Sequence, residues 1–190
     1  TDLATDPIQA LARTLDALES RGIAYAIGGS FASSTHGEPR SSADYDILVE
    51  VRVEHVHPLV EALRAEFYIS EEAAIEAVSR KRSFNVIHLA THMKVDLFVR
   101  GDSPLDAEQM RRRLLSELSP GSGRMVFVTS PEDIVLRKLD WFRRGGRVSD
   151  RQWRDVLGVL KVQGERLDRE HLLRLAGQAD LTDLLDQALR

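Results

Sequence analysis

Apolar residues recur at helical spacing near the start of the chain and at strand spacing further on. A stripe from Ile8 to Leu18 predicts a first helix, which begins with Asp6 and Pro7 and ends before Gly22. Short apolar runs then predict strands separated by turns and helices. The predicted strands are residues 23–27, 45–51, 67–69, 84–89, 93–99 and 125–128.

The segments between these strands carry helix signals of their own. A turn at Thr91 and His92 separates two of the strands and predicts a hairpin. Further helices are predicted from Ser30, after the second strand to about residue 66, over 71–82 and over 104–118.

After Ser130 the pattern is helical alone. Helices are predicted over 131–144 and 150–163, followed by two shorter ones. The sequence therefore predicts an α+β fold, a mixed β-sheet flanked by helices. We expect residues 1–129 to form the core and residues 130–190 to form a C-terminal helical region packed on it.

The composition removes several classes of chemistry from consideration. The 190 residues contain no cysteine, which excludes disulfides, thiolate catalysis and cysteine-bound zinc and fits a reducing cytoplasm. No apolar run approaches the length of a membrane span, and the first residues show no basic and apolar leader. We therefore expect a cytoplasmic protein with no membrane partner.

Charge is distributed unevenly along the chain although the net charge is only −4. Residues 1–100 carry ten Lys or Arg against fifteen Asp or Glu, whereas residues 137–154 carry seven basic residues against two acidic ones. An acidic half beside a basic patch is typical of a protein that holds metal ions and polyphosphate, and it also occurs on ordinary surfaces.

Two aspartates enter the second predicted strand with one residue between them. On an extended strand Asp44 and Asp46 point to the same face, so two like charges are held together. Such a pair is stabilised by a cation between the carboxylates, and oxygen ligands on a rigid strand suit Mg²⁺. The alternative is a solvated strand end where acidic residues protect an edge.

A third aspartate changes the balance between these alternatives. Asp96 lies between Val95 and Leu97 in a strand that should be largely buried, where a lone carboxylate is costly. On a neighbouring strand it would complete one side of a two-metal site. A purely structural role predicts instead that Asp96 pairs with a base such as Lys94 and that no cleft opens beside it.

The turn after the first strand has the features of a phosphate site. Gly28 and Gly29 allow the backbone to approach an anion closely, and Ser30 offers a hydroxyl and a helix cap. The free N–H groups of the helix that starts there would point at the ligand. A plain strand-to-helix turn is the alternative.

Together these elements resemble a known family. The nucleotidyltransferase superfamily with the DNA polymerase beta-like fold is marked by a Gly-Ser turn, a strand-borne Asp-x-Asp and a later carboxylate on an adjacent strand. Gly29 and Ser30, Asp44 and Asp46, and Asp96 stand in those places.

The resemblance extends to the residues before the aspartate pair. The segment "RSSADYDIL" is similar to the Arg-x-Thr-x-Asp-x-Asp-Leu form of small bacterial members. Ser42 replaces the threonine and keeps its hydroxyl, and Ile47 replaces the leucine. By this resemblance Arg40 and Ser42 would help to bind the nucleotide.

What the resemblance implies is a magnesium-dependent transfer of a nucleoside monophosphate from an NTP, such as ATP, to an acceptor hydroxyl. Asp44 and Asp46 would bridge two Mg²⁺ ions, with Mn²⁺ as an alternative. Asp96 would hold the catalytic ion and help to deprotonate the acceptor. Gly29 and Ser30 would cradle the triphosphate.

A second resemblance concerns the helical region. The stretch from Ser130 to Leu160 is similar to the helical part of abortive-infection type nucleotidyltransferase toxins, and Lys138 and Asp155 match a lysine and an aspartate of that pattern. Lys138 falls inside the apolar arc of its predicted helix, so it would either reach for water along its stem or contact the triphosphate. For Asp155 a salt bridge to a nearby arginine is expected.

The acceptor stays open at this point. The abortive-infection resemblance favours an RNA such as tRNA and a cognate antitoxin protein as a partner. Small molecules such as aminoglycosides and protein side chains remain alternatives. From another class, a nonenzymatic nucleotide-binding or antitoxin-like module of the same fold would also keep these motifs.

Overall fold

The structure, a computed structural model, describes residues 6–190. Over that range the chain forms nine α-helices and one mixed sheet of seven strands, so the predicted α+β class is confirmed. The strands are β1 (Tyr25–Ile27), β2 (Asp44–Val49), β3 (Phe67–Tyr68), β4 (Ser83–His88), β5 (Lys94–Val99), β6 (Leu114–Glu117) and β7 (Met125–Val128). The helices are α1 (Ile8–Glu19), α2 (Gly29–His36), α3 (Val53–Leu63), α4 (Glu71–Ser79), α5 (Pro104–Arg111), α6 (Pro131–Arg144), α7 (Asp150–Gln163), α8 (Arg169–Gln178) and α9 (Thr182–Ala188).

Strand β2 lies at the centre of the sheet, whose order is β3-β4-β5-β2-β1-β7-β6. It pairs in parallel with β5 and antiparallel with β1. The predicted hairpin is confirmed, because β4 and β5 pair antiparallel across the turn. The third aspartate is therefore carried by the strand next to the aspartate pair, as the sequence predicts.

One predicted element is wrong. The helix expected over 104–118 ends at Arg111, and Leu114–Glu117 is the edge strand β6, paired antiparallel with β7. Leu and Glu favour helix locally, but β7 would otherwise leave its ladder groups unpaired at the edge of the sheet. The guanidinium of Arg113 also stacks 4.6 Å above the ring centre of Phe127 on β7, which fastens the strand in place.

The helices predicted after residue 130 are confirmed. Helix α6 starts at the cap Ser130, whose hydroxyl accepts a hydrogen bond from the N–H of Asp133, and the side chains of Ile134, Leu136 and Leu139 along it are fully buried. Helices α6 and α7 pack on each other and on α2, which begins at the Gly-Ser turn. Within residues 6–190, no helix combines the length and the hydropathy that a bilayer crossing needs.

The contact between α2 and α7 depends on a glycine. A Cβ atom at Gly37 would lie 2.7 Å from the backbone nitrogen of Val159 and 2.9 Å from the carbonyl carbon of Gly158. Neither atom belongs to a flexible side chain. Only a residue without a side chain lets the end of α2 approach α7 this closely.

Replacing Gly37 by alanine should therefore push α7 away from α2. We expect Gly37→Ala to lower the free energy of unfolding by about 1–3 kcal/mol, measured by urea denaturation. Gly177→Ala is the matched control, because a Cβ there meets nothing within 4 Å. The control should be neutral or slightly stabilising, and equal destabilisation of both variants would contradict the steric explanation.

Candidate active site

A cleft of about 1110 Å³ opens over the centre of the sheet. Its floor is formed by β2 and β5, and one end is closed by the Gly-Ser turn between β1 and α2. The opposite wall is one face of α6, carrying Ile134, Arg137, Lys138 and Trp141. The structural alternative for Asp96 is thus met only in part: it pairs with Lys94, but a cleft does open beside it.

Strand register places three carboxylates together on the cleft floor. Asp46 lies directly opposite Asp96 on the neighbouring strand, and Asp44 lies opposite Lys94. Adjacent strands are about 4.8 Å apart, and residues two apart on one strand share a face. The four side chains therefore form a two-by-two array, three acids and one lysine, which we call the carboxylate array.

Gly29 is fitted against this array. Its φ of +53° is a left-handed conformation that favours glycine, and a Cβ built there would lie 2.0 Å from the Asp46 carboxylate oxygen Oδ2. The backbone N–H of Gly28 also donates a 2.8 Å hydrogen bond to the Asp46 carbonyl. The turn that would hold phosphate and the strand that carries the acids are thus in direct contact.

Each outer acid of the array has a hydrogen-bond partner. The Ser42 hydroxyl donates to Oδ1 of Asp44 at 3.0 Å, and the ammonium of Lys94 lies 2.9 Å from Oδ2 of Asp96. Within residues 6–190, no three acidic or histidine side chains converge closely enough to hold a metal ion as they stand. One oxygen of Asp96 is thus occupied by an ion pair with Lys94.

The chemistry of the array nevertheless fits a divalent cation. Burial, followed by repulsion from Asp44 and Asp96, raises the pKa of Asp46 to about 6. The donors are carboxylate oxygens on rigid strands, which suit Mg²⁺ or Mn²⁺. A cation placed among them would remove the repulsion, so these residues fit the metal that the sequence predicts.

A buried ion-pair network lies beside the Gly-Ser turn. Asp155 on α7 accepts two hydrogen bonds of 2.9 Å from the guanidinium of Arg40, in bidentate geometry, and its Oδ2 lies 2.8 Å from the ammonium of Lys138. Arg40 also donates to the Ser30 hydroxyl at 2.6 Å. Lys138 donates to the Gln152 side chain at 3.0 Å. The expected salt bridge of Asp155 to an arginine is present, and Lys138 is a second partner that the sequence did not indicate.

Burial and pairing act against each other in this network. Burial lowers the pKa of Lys138, while Asp155 works to raise it. Burial also works to raise the pKa of Asp155, but hydrogen bonds from Arg40 and Lys138 outweigh it and hold that pKa below its usual value. The side chain of Lys138 is only 5% exposed, so it does not reach for water along its stem.

The structure thus brings most of the predicted site residues to one place. Those that line the cleft are Gly29, Ser30, Arg40, Asp44, Asp46, Asp96 and Lys138. Ser42 is absent from this lining and reaches the site only through its hydrogen bond to Asp44, so its assignment to nucleotide binding stays a prediction.

Sequence reasoning missed an aromatic pair in the cleft. Phe98 and Trp141 meet edge to face, with ring centres 5.3 Å apart, and Trp141 is 39% exposed. Strand alternation could have found Phe98, because it lies two residues after Asp96 and shares its face. Helical spacing could likewise have placed Trp141 beside Lys138, three residues earlier.

Replacing Asp155 alone should destabilise the protein more than replacing Asp155 and Lys138 together. Asp155→Ala leaves the buried ammonium of Lys138 with a neutral acceptor alone, so we expect the free energy of unfolding to fall by about 3 kcal/mol. The double variant Lys138→Met/Asp155→Leu should recover most of that loss. Urea unfolding of the three proteins checks this, and a double variant less stable than Asp155→Ala would contradict it.

The array should destabilise the protein when no cation is present. Because the folded pKa of Asp46 is raised, the wild type loses stability as pH rises from about 4 to about 6. In chelator at pH 7.5, Asp46→Asn should therefore be more stable by about 2 kcal/mol, an advantage that disappears below about pH 4.

The control for this experiment is a carboxylate outside the array. Asp102 lies on the cleft rim, and pairing with Lys81 holds its pKa below the usual value. Asp102→Asn should show no gain in stability at any pH. A wild type as stable as Asp46→Asn at pH 7.5, measured by thermal unfolding, would show that neither burial nor repulsion destabilises the charged form of Asp46.

Comparison with known proteins finds matches by structure but none by sequence. No family model matches the chain, and no curated protein matches it. Eight chains of solved structures do match it.

Two of these structures are of the antibiotic-resistance factor ANT(2'')-Ia. Its solution structure matches with a TM-score of 0.58 and 13% identity, covering 95% of either chain. Its crystal structure in complex with adenylyl-2''-tobramycin matches with a TM-score of 0.60 and 13% identity, covering 94% of this chain and 98% of that one.

A third match is the crystal structure of an antigenic nucleotidyltransferase-like protein from Paracoccidioides brasiliensis. It has a TM-score of 0.55 and 18% identity, and the match covers 97% of this chain and 93% of that one. At these identities the likeness is one of fold. The chain has the fold of the nucleotidyltransferase superfamily, as its Gly-Ser turn and its three aspartates predict.

Proposed function

We propose that this protein transfers a nucleoside monophosphate from an NTP to an acceptor hydroxyl, with Mg²⁺ held by Asp44, Asp46 and Asp96. The observation that carries the proposal is the carboxylate array itself. Three acids stand on adjacent strands, in direct contact with the Gly-Ser turn and on the floor of one cleft. An arrangement that destabilises the empty protein is typical of a site kept for function.

The triphosphate would bind at the turn end of the cleft. Helix α2 begins at Gly29, so its first N–H groups face that end and favour negative charge. Arg40 donates to the oxygen of Ser30, which leaves the Ser30 proton to be donated to a phosphate. Lys138, held by Asp155, would add a fixed positive charge for the leaving pyrophosphate.

In the proposed reaction the acceptor oxygen attacks the α-phosphorus. The bond from that phosphorus to the bridging oxygen breaks, pyrophosphate leaves with the electron pair, and the acceptor proton passes to Asp96 and then to water. Mg²⁺, when bound, would neutralise the charge that develops on the phosphate oxygens. The protein's own part is to position the two reactants in line.

The strand order indicates where the acceptor would approach. The Gly-Ser turn lies on the β1 side of Asp46, and Asp96 lies on its β5 side. With the leaving group over the turn, in-line attack comes from the side of β5 and β4. The cleft there is lined by Lys81, Arg82 and Phe98.

Charge in the cleft favours an acceptor that carries phosphates. Eight basic residues line it against five acids, and three of those acids belong to the array. The other two are ion-paired, Asp102 with Lys81 and Asp106 with Arg137. Among residues 6–190, Arg82 and Arg151 line the cleft without an ion-pair partner. Such a surface suits a nucleic acid and opposes a polycation such as tobramycin, which ANT(2'')-Ia binds in adenylylated form.

We therefore favour RNA, such as tRNA, as the acceptor. The exposed face of Trp141, braced by Phe98, offers a surface on which a nucleobase can stack. The resemblance to abortive-infection proteins extends the proposal to a bacterial toxin restrained by a cognate antitoxin protein in the cytoplasm.

A nonenzymatic nucleotide-binding module is the second candidate. The observation that favours it is the pairing of Asp96 with Lys94, which occupies one oxygen of the third acid. For such a module, Asp44→Ala would leave magnesium-dependent NTP binding unchanged in calorimetry. An enzyme of the proposed kind would lose it.

Incubation of the protein with each α-labelled NTP, Mg²⁺ and either total RNA or tobramycin tests the proposal. We expect label on RNA with the wild type, a loss of at least about 100-fold with Asp46→Asn, and no label on tobramycin. The Lys161→Met variant is the positive control, because Lys161 pairs with Glu38 on the surface away from the cleft.

Two outcomes would contradict different parts of the proposal. Label on tobramycin rather than on RNA would show that RNA is not the acceptor, while the proposed transferase activity would be supported. Label on neither, from a protein that binds Mg²⁺ and NTP, would leave the nonenzymatic module as the better explanation.

A further inference from the structure

One position of the carboxylate array is basic. Lys94 occupies the corner opposite Asp44, two residues before Asp96 on the same strand face. Its ammonium lies 2.9 Å from Oδ2 of Asp96. The three acids therefore already share one resident cation, supplied by the chain.

This cation stands where a divalent ion would need to bind. Carboxylates held together by strand register are stabilised by any positive charge between them, whether a metal or an ammonium group. While Lys94 contacts Asp96, that oxygen is not available as a metal ligand.

The position of Lys94 also allows its ammonium group to move away from Asp96. Its side chain is 42% exposed and opens on the cleft, and Asp96 is its one ion-pair partner among residues 6–190. Lys138, the other lysine near the array, is 5% exposed and is held by both Asp155 and Gln152. A lysine stem with four rotatable carbons can swing away, whereas the packed one is fixed.

We infer that Lys94 is a displaceable counter-ion of the carboxylate array, which a divalent cation must displace from Asp96 in order to bind. Lys94 is thus a positioning residue that keeps the nucleotide-free array from binding metal tightly. The inference rests on the proposed function, because it takes the array to be the metal site. It names a residue that sets metal affinity by competing for one of the ligands.

The test is a calorimetric titration of Mn²⁺ into nucleotide-free protein. Lys94→Met keeps the length of the side chain and removes its charge, so Mn²⁺ should bind about fivefold more tightly than to the wild type. Lys94→Arg should bind Mn²⁺ more weakly than the wild type, because a guanidinium can hold Asp96 with two hydrogen bonds.

Lys81→Met is the matched control. Lys81 lines the same cleft and is paired with Asp102, outside the array, so its removal changes the net charge by the same amount. Its Mn²⁺ affinity should stay within twofold of the wild type, about the difference expected from screened long-range charge. Tightening equal to that of Lys94→Met would overturn the inference, since the effect would then be one of net charge.

Asp46→Asn separates this inference from the proposed function. If it abolishes Mn²⁺ binding while Lys94→Met leaves affinity unchanged or weaker, the metal site stands and the role of Lys94 is refuted. If Asp46→Asn leaves Mn²⁺ binding unchanged, the ion binds elsewhere, and both this inference and the proposed metal site are refuted. If Lys94→Met does not fold, Lys94→Arg provides the test. Weaker Mn²⁺ binding than in the wild type supports the inference, and tighter binding overturns it.

Discussion

Repulsion among three carboxylates on neighbouring strands is the constraint on which this site depends. The parallel pairing of β2 with β5 sets Asp46 directly opposite Asp96, and side-chain alternation adds Asp44 to the same face. Backbone hydrogen bonds fix this register, so the acids cannot separate without loss of the sheet. A serine hydroxyl donates to Asp44 and an ammonium pairs with Asp96, which offsets part of this repulsion. The glycine turn closes against Asp46.

The C-terminal helices complete the site through a second electrostatic constraint. A buried lysine on α6 has to be paired, and the aspartate that pairs with it on α7 also holds Arg40, which in turn contacts Ser30. The end of the cleft at the Gly-Ser turn is therefore built from both parts of the chain. The network crosses the predicted boundary between residues 129 and 130, so both predicted parts of the chain contribute to one site. The division into two parts stays a prediction.

Much of this arrangement could be predicted from the sequence, since its signals are local. Strand alternation and the Gly-Ser turn were sufficient to single out the three acids and the turn that meet in the cleft. Partners distant in the chain could not be predicted: Lys138 with Asp155 depends on how α6 meets α7, and the strand at Leu114–Glu117 forms because β7 needs a neighbour. The basic lining of the cleft could not be predicted for the same reason, because Lys81, Arg82 and Arg151 come to one cleft only in the folded chain.

A crystal structure with Mn²⁺ and a non-hydrolysable NTP analogue tests the central claim most directly, since anomalous scattering locates the metal. We predict two Mn²⁺ ions between Asp44, Asp46 and the phosphates, with Asp96 bound to one of them and the triphosphate against Gly29 and Ser30. Metal bound away from these carboxylates, or a nucleotide bound without metal at the far end of the cleft, would contradict the account.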